Sequence, residues 1–252
     1  GEVSSRDDVG DGSRAPAGQP GGYTGFAQSM DTSVRGELGA EIVMRVRSPE
    51  PDFWRGQTFA EFDGRRWYAD DDIGLPLDGP NIDLPRALGD FPVTEDVPVD
   101  RLVQTFYAEA DLPNVVFGAY RPVQVIVDAD VWARPDGAIR ASTVFPAGSV
   151  YTVVSARARV SETVLRRQDH IGSRLTLLGR ERLARYLEVP ESTSPETIAL
   201  AAELAEGQPS TYDVVRAYER WLNENVEYDL NAPLPGSDED AVHDFLLDSR
   251  LG

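Results

Sequence analysis

The sequence predicts an α+β protein: an antiparallel, β-sandwich-like region followed by a helical part. Three observations carry that expectation. Between about residues 38 and 160, short apolar runs alternate with turn signals. Beyond about residue 160, apolar residues recur at helical spacing behind hydroxyl and acidic caps. The first 22 residues are rich in Gly, Ser, Pro and Asp and hold almost nothing to bury. Strands first and helices later is the order of an α+β chain or of two abutting domains. The expected division is a disordered linker over residues 1–35, a β-rich domain over 36–165 and a helical part over 166–252.

Residues 1–22 have too little apolar surface to offset the entropy of ordering, and Tyr23 and Phe26 are the first residues expected to meet the folded body. Ile42-Val43-Met44-Arg45-Val46-Arg47 mixes β-branched and alternating positions and reads as a strand. Thr58-Phe59-Ala60-Glu61-Phe62 alternates, Asp63-Gly64 turns, and Arg66-Trp67-Tyr68 returns. Asp-Gly between two alternating runs is a strong hairpin signal. Phe59, Trp67 and Trp54 are expected to share its buried face. Residues 70–99, rich in Pro and Asp, read as a long surface loop. Strands are expected again at 102–107, 115–117, 123–127 and 151–156. Another hairpin, 131–133 with 138–140, is expected around Pro135-Asp136-Gly137.

Farther on, Leu183, Tyr186 and Leu187 mark a short helix within residues 175–187. Thr193-Ser194-Pro195-Glu196 opens the next with hydroxyl caps and a proline in the first turn. Ser210 starts the longest, in which Val214, Tyr218, Trp221, Leu222 and Val226 form an apolar stripe. Ser237 and Asp240 are expected to cap a last helix that buries Val242, Phe245 and Leu246.

Composition narrows the function. A chain of 252 residues buries roughly three quarters of its extended surface and needs no staples. A net charge of −19 opposes nucleic acid and anionic membrane surfaces as partners. All 24 basic residues are arginine, and cysteine is absent, which excludes disulfides and a cysteine nucleophile within these residues. No apolar run approaches the roughly 18 residues of a membrane span.

The sequence assigns no catalytic, cofactor-binding or metal-binding residue, and no cofactor. His170 and His243 are the only histidines. Neither has the neighbours of a zinc site, and His243 reads as a solvent-facing or boundary residue. Asp70-Asp71-Asp72 lacks the alternating ligands of a calcium loop and reads as a solvated acidic stretch. Phosphate-cradling glycine loops, a Gly-x-Ser-x-Gly elbow and a dinucleotide fingerprint are all missing.

Two stretches resemble the bacterial and archaeal multi-pass membrane proteins that carry an extracytoplasmic transglutaminase-like domain. The first runs through Met30-Asp-Thr-Ser-Val-Arg-Gly-Glu-Leu38, Val43-Met-Arg-Val46, Phe53-Trp-Arg-Gly56 and Phe62-Asp-Gly-Arg-Arg-Trp67. The second runs from Tyr218-Glu-Arg-Trp-Leu222 through Tyr228-Asp-Leu230 and Asp240-Ala-Val-His-Asp-Phe-Leu246 to Arg250-Leu-Gly252. The resemblance implies a nucleophilic cysteine soon after Gly252, with the catalytic histidine and aspartate farther on, so no catalytic role falls on this chain. It implies a protein or peptide substrate for the intact enzyme, a membrane-anchored parent and an extracytoplasmic location, with the stretch itself soluble and inactive. A half-domain should expose apolar surface at Trp221, Phe245 or Leu246, or leave the last residues disordered. The alternative is a non-enzymatic extracellular β-sandwich module for adhesion or envelope assembly. A carboxylate-based hydrolase has no motif behind it.

Overall fold

The computed structural model describes residues 29–31, 40–69, 74–84, 98–134, 136–167, 184, 186–229, 231–233, 235–236 and 240–252. The expectations for residues 1–22, Tyr23, Phe26, Asp70-Asp71-Asp72, His170, Leu183 and Ser237 lie outside them. Among the described residues, eleven strands form three antiparallel sheets, and helices follow the last strand.

The largest sheet holds five strands in the order β2-β7-β11-β8-β6: β2 (Met44–Arg47), β7 (Val99–Ala108), β11 (Val150–Ala158), β8 (Pro122–Ile126) and β6 (Asn81–Asp83). A strand half-buried on one side must alternate, as β7 does, whereas β11 buries Val153, Val154 and Ser155 in succession where its register against β8 shifts. Leu102, Gln104, Phe106 and Ala108 point inward from β7, and Val103 and Tyr107 point out. Register matches like with like, since Val46 opposes Phe106 and Tyr151 opposes Phe106 from the other side.

A second sheet, β10-β9-β5, covers the inner face. It consists of β5 (Leu75–Leu77), β9 (Val131–Ala133) and β10 (Ile139–Ala141). Val131, Ala133, Ile139 and Ala141 of this sheet share one apolar cluster with Ile82, Phe106, Val125, Tyr151 and Val153 of the larger one. Two inner faces sharing a core define a β-sandwich. At its centre the Phe106 and Tyr151 rings stack 4.9 Å apart, flanked by Phe145 at 5.0 Å and by Trp54, whose ring meets Phe106 edge-on at 5.7 Å. Burial pushes the Tyr151 phenol up, and its oxygen accepts the Phe117 N–H at 3.0 Å. Gln104 and Ser155 are buried polar residues. The Gln104 amide oxygen accepts the Ala119 N–H at 2.9 Å, and the Ser155 hydroxyl donates to the Ala119 carbonyl at 2.6 Å. Residues 115–119 are thereby held against the sheet's inner face.

The third sheet is β1-β4-β3: β1 (Ser29–Asp31), β4 (Arg66–Tyr68) and β3 (Glu61–Phe62). Then come α1 (Glu162–Arg167), α2 (Pro195–Ala205), α3 (Thr211–Asn225) and a short turn α4 (Ala241–His243) that widens into a π-helix at Asp244–Asp248. Ser210 caps α3 by accepting the Asp213 N–H, and the Asp213 carboxylate takes Arg166 of α1 at 2.9 Å. Both the Ser210 hydroxyl and that guanidinium hold the Asp213 carboxyl below the usual carboxylate range. Helices α2 and α3 are joined by the Tyr218 hydroxyl donating to the Ala201 carbonyl at 3.0 Å.

Within the expected stretches, several details differ. Ser29–Asp31, placed by sequence in the linker, forms β1 on the edge of β4. Residues 70–99 are not one loop, because β5 and β6 lie within them and bury Ile82 and Leu84. The run 115–117 is not a sheet strand: Val115 makes one bridge to Arg140, and Val115 and Val116 are apolar because they lie in the core. The three aromatics do not share a hairpin face. Trp67 stacks on Phe62 at 4.6 Å while Trp54 belongs to the sandwich core. Helix α1 begins at Glu162, just past residue 160, where helical spacing is expected to set in.

Candidate functional site

The residues with the most chemistry gather where the helices meet the β3–β4 hairpin. The hairpin tip is built by Asp63, whose carboxylate accepts the backbone N–H of Arg65 at 2.8 Å and of Arg66 at 2.6 Å, and the Tyr68 hydroxyl at 2.8 Å. The Arg66 N–H chiefly holds the Asp63 carboxyl below its ordinary range, and the bond to Asp63 pushes the Tyr68 phenol up. Gly64 completes the turn at φ 103°, a conformation that side chains disfavour. The tip lies on the helical part. Gly64 is buried against Ser192 and Pro190, and the Arg65 guanidinium donates to the carbonyls of Gly236 at 3.0 Å and Pro235 at 3.4 Å.

Beyond that loop, Asp240 caps α4. One carboxylate oxygen accepts the Val242 and His243 N–H groups, and the other accepts the Ser194 N–H at 2.7 Å. Ser194 is in turn the cap of α2, accepting the Thr197 N–H at 3.1 Å. Its hydroxyl lies 2.7 Å from His243 Nδ1 and 2.9 Å from Thr197 Oγ1. His243 Nε2 faces Asp248 at 3.6 Å.

Serine, histidine and aspartate in this order invite comparison with a nucleophilic triad. A serine hydroxyl offers one proton and two lone pairs. The Thr197 N–H, Thr197 Oγ1 and His243 occupy all three, so the oxygen serves as a cap and a tie between α2 and α4. Ser194→Ala is expected to cost about 1 kcal/mol through the lost cap, read by denaturant unfolding. His243→Ala should cost less, because the bond to the Thr197 N–H survives.

The last residues are fastened too. Leu251 pairs in parallel with Glu227. The Glu227 N–H donates to the Arg250 carbonyl at 2.9 Å, the Gly252 N–H to the Glu227 carbonyl at 3.0 Å, and the Asp229 N–H to the Gly252 carbonyl at 2.9 Å. Arg250 reaches this pairing at φ 54°. Gly252 lies against the Phe245 ring, where an added Cβ would meet a ring carbon at 2.4 Å. Trp221, Phe245 and Leu246, expected as an exposed patch, are half-buried. Exposed apolar side chains near this place include Leu222 and Tyr228, the latter at 75%.

Sequence reasoning assigned no site residue here, and His243, taken as a boundary residue, is half-buried and bonded to Ser194. Among the described residues, no group of three or more His, Asp or Glu side chains is placed to hold a metal ion, and no helix is long and apolar enough to cross a membrane. The Phe53-Trp54-Arg55-Gly56 stretch braces the sandwich. Arg55 exchanges backbone hydrogen bonds with Gly118 at 2.9 and 3.1 Å, and its guanidinium lies 5.1 Å from the Tyr120 ring centre.

An antiparallel sandwich whose hairpin tip docks on a capped helical part is the class of protein this geometry defines. The sequence model of the family described as the TgpA N-terminal domain matches residues 6–162, more than half of the chain, and the chain belongs to that family. It is similar to an uncharacterized protein of Bacillus subtilis (strain 168), YebA, at 33% identity over 70 residues. That match covers 27% of this chain and 10% of YebA, so it spans about a tenth of the curated relative's length. Among solved structures it is similar to the periplasmic domain of TgpA from Pseudomonas aeruginosa, with a TM-score of 0.60 at 22% identity over 91% of this chain and 72% of that one. The same domain bound to ethylmercury gives a TM-score of 0.52 at 22% identity, over 91% and 73%. At that identity the likeness is one of fold, and it reaches past the family match into the helices.

Proposed function

We propose that this chain is the non-catalytic, extracytoplasmic part of a membrane-anchored transglutaminase-like enzyme. Its stretches would be a juxtamembrane linker over residues 1–35, whose Ser29–Asp31 adds strand β1, a β-rich domain over 36–165 and the first part of the transglutaminase-like domain over 166–252. The observation that carries this reading is a join within one chain. A TgpA N-terminal domain over residues 6–162 runs on to a stretch, Tyr218 to Gly252, that resembles the lead-in to a nucleophilic cysteine. The likeness to a periplasmic domain supports the location.

The reading gives the end of the described chain a physical role. Two backbone hydrogen bonds and the Phe245 ring hold Gly252 in one place, and a third holds Arg250. A thiolate following at a helix start would gain from the helix dipole, which lowers its pKa. In the parent protein that thiolate attacks a glutamine amide or peptide carbonyl. The amine leaves with a proton, and the thioester passes its acyl group to an amine or to water.

The test is made on the parent protein. Iodoacetamide should label a cysteine within a few residues of Gly252 and abolish ammonia release from a glutamine-containing peptide, while residues 1–252 alone release none. A parent without a cysteine there overturns the reading. The second reading, an adhesion or envelope module without enzymatic activity, draws on the outer face of the large sheet. Val103, Tyr107, Ile126 and Val150 are exposed there. It predicts specific binding by the sandwich and full function after loss of the cysteine.

A further inference from the structure

The Asp63-Gly64-Arg65-Arg66 turn is explained as a hairpin by its own Asp63 bonds. Those bonds leave unexplained why an arginine side chain at its tip reaches a loop about 170 residues away. The Arg65 guanidinium is half-buried, and it spans the adjacent carbonyls of Pro235 and Gly236. A planar fork meeting two adjacent carbonyls is a contact that lysine cannot reproduce. The segment it grips runs on to Asp240, and thence to α4 and to the backbone of Leu251 and Gly252.

That segment is fastened at three places. Ser194 holds Asp240, and residues 227–229 hold 250–252, but both of these fasteners belong to the helical part itself. Arg65 brings the third from the β3–β4 hairpin. Beside it, Gly64 is pressed on Ser192, and the Asp63 carbonyl lies 3.5 Å from the Ser192 hydroxyl. The hairpin tip thus touches the chain on both flanks of the Ser194–Asp240 tie: at residues 190–192 before Ser194, and at 235–236 before Asp240.

We propose that Arg65 is a positioning residue: from the TgpA N-terminal domain it fixes the loop that leads into α4, and so sets the place of the Gly252 backbone. The inference rests on the functional reading above for its catalytic consequence, and on the contacts alone for its structural one. The β3–β4 hairpin is then a control surface for the helical part, and a partner or ligand that draws it away would loosen the site.

Two readouts separate these levels. In the 252-residue chain, Arg65→Ala should speed amide hydrogen exchange at residues 226–229 and 240–252 by about tenfold, the scale of losing hydrogen bonds to a charged group. Exchange at Phe106 and Val153 in the sandwich should be unchanged. Arg65→Lys should recover part of the protection. In the parent protein, Arg65→Ala should lower kcat on a glutamine-containing peptide with KM little altered. Unchanged exchange at 226–229 and 240–252 overturns the proposal. Faster exchange with an inactive parent keeps the coupling and removes the enzymatic reading instead. The Phe62–Trp67 stack reports through near-ultraviolet dichroism whether the hairpin is intact. If Arg65→Ala melts it, Arg65→Lys carries the test, and wild-type exchange in that variant counts against the fork.

Discussion

Phe106→Ala is expected to lower the unfolding free energy by about 3–5 kcal/mol, the usual cost of emptying a buried aromatic site. Phe106 is fully buried on β7, a central strand paired with both β2 and β11. Its ring stacks on Tyr151 at 4.9 Å and takes the edge of Trp54 at 5.7 Å. Two aromatic neighbours cannot collapse into the vacated volume without leaving their own rotamers, so most of the cavity should persist. Denaturant unfolding followed by far-ultraviolet circular dichroism measures the loss. The slope against denaturant should stay constant if the variant still folds fully. A cost below about 1 kcal/mol would mean that the sandwich is not closed around this ring.

The legibility of these features follows from how local each one is. Strands β7 and β11 are ten and nine residues long, long enough for their β-branched and aromatic runs to be read without a structure. The Asp63-Gly64 turn and the Ser194, Ser210 and Asp240 caps are equally local, because each side chain bonds a backbone N–H within three residues. Strands β5 and β6 escaped because each is three residues long, and Ile82 is the single buried residue of β6. Leu75-Pro76-Leu77 even carries a proline. Such strands are held by their partners β9 and β8 rather than by a pattern of their own. Strand β1 is of the same kind. The junction was the least visible part, since Ser194 and His243 stand 49 residues apart and Arg65 and Gly236 stand 171 apart. The resemblance named the Phe62 to Trp67 motif, but scaffold residues explained it equally well, and only the fold shows that its arginine leaves the hairpin.

Gly64→Ala is expected to cost about 1–3 kcal/mol from the backbone alone, since φ 103° lies outside what an alanine adopts without strain. A second cost comes from the junction. A Cβ at Gly64 would stand 2.1 Å from the Ser192 Oγ and 3.4 Å from its Cβ. The hydroxyl can rotate, so this part is relieved by a small movement of Ser192 or by removing its side chain. A double-mutant cycle with Ser192→Gly separates the two costs. If the hairpin tip presses on residues 190–192, Ser192→Gly should recover about 0.5 kcal/mol or more in the Gly64→Ala background, beyond its effect in the wild type. The remaining loss is the backbone strain, which no change at Ser192 can touch. Strict additivity would place all of the cost in the turn and leave the hairpin merely beside the helical part. Coupling would establish that the tip and the 190–192 segment share a boundary, with the Arg65 bonds as its polar half.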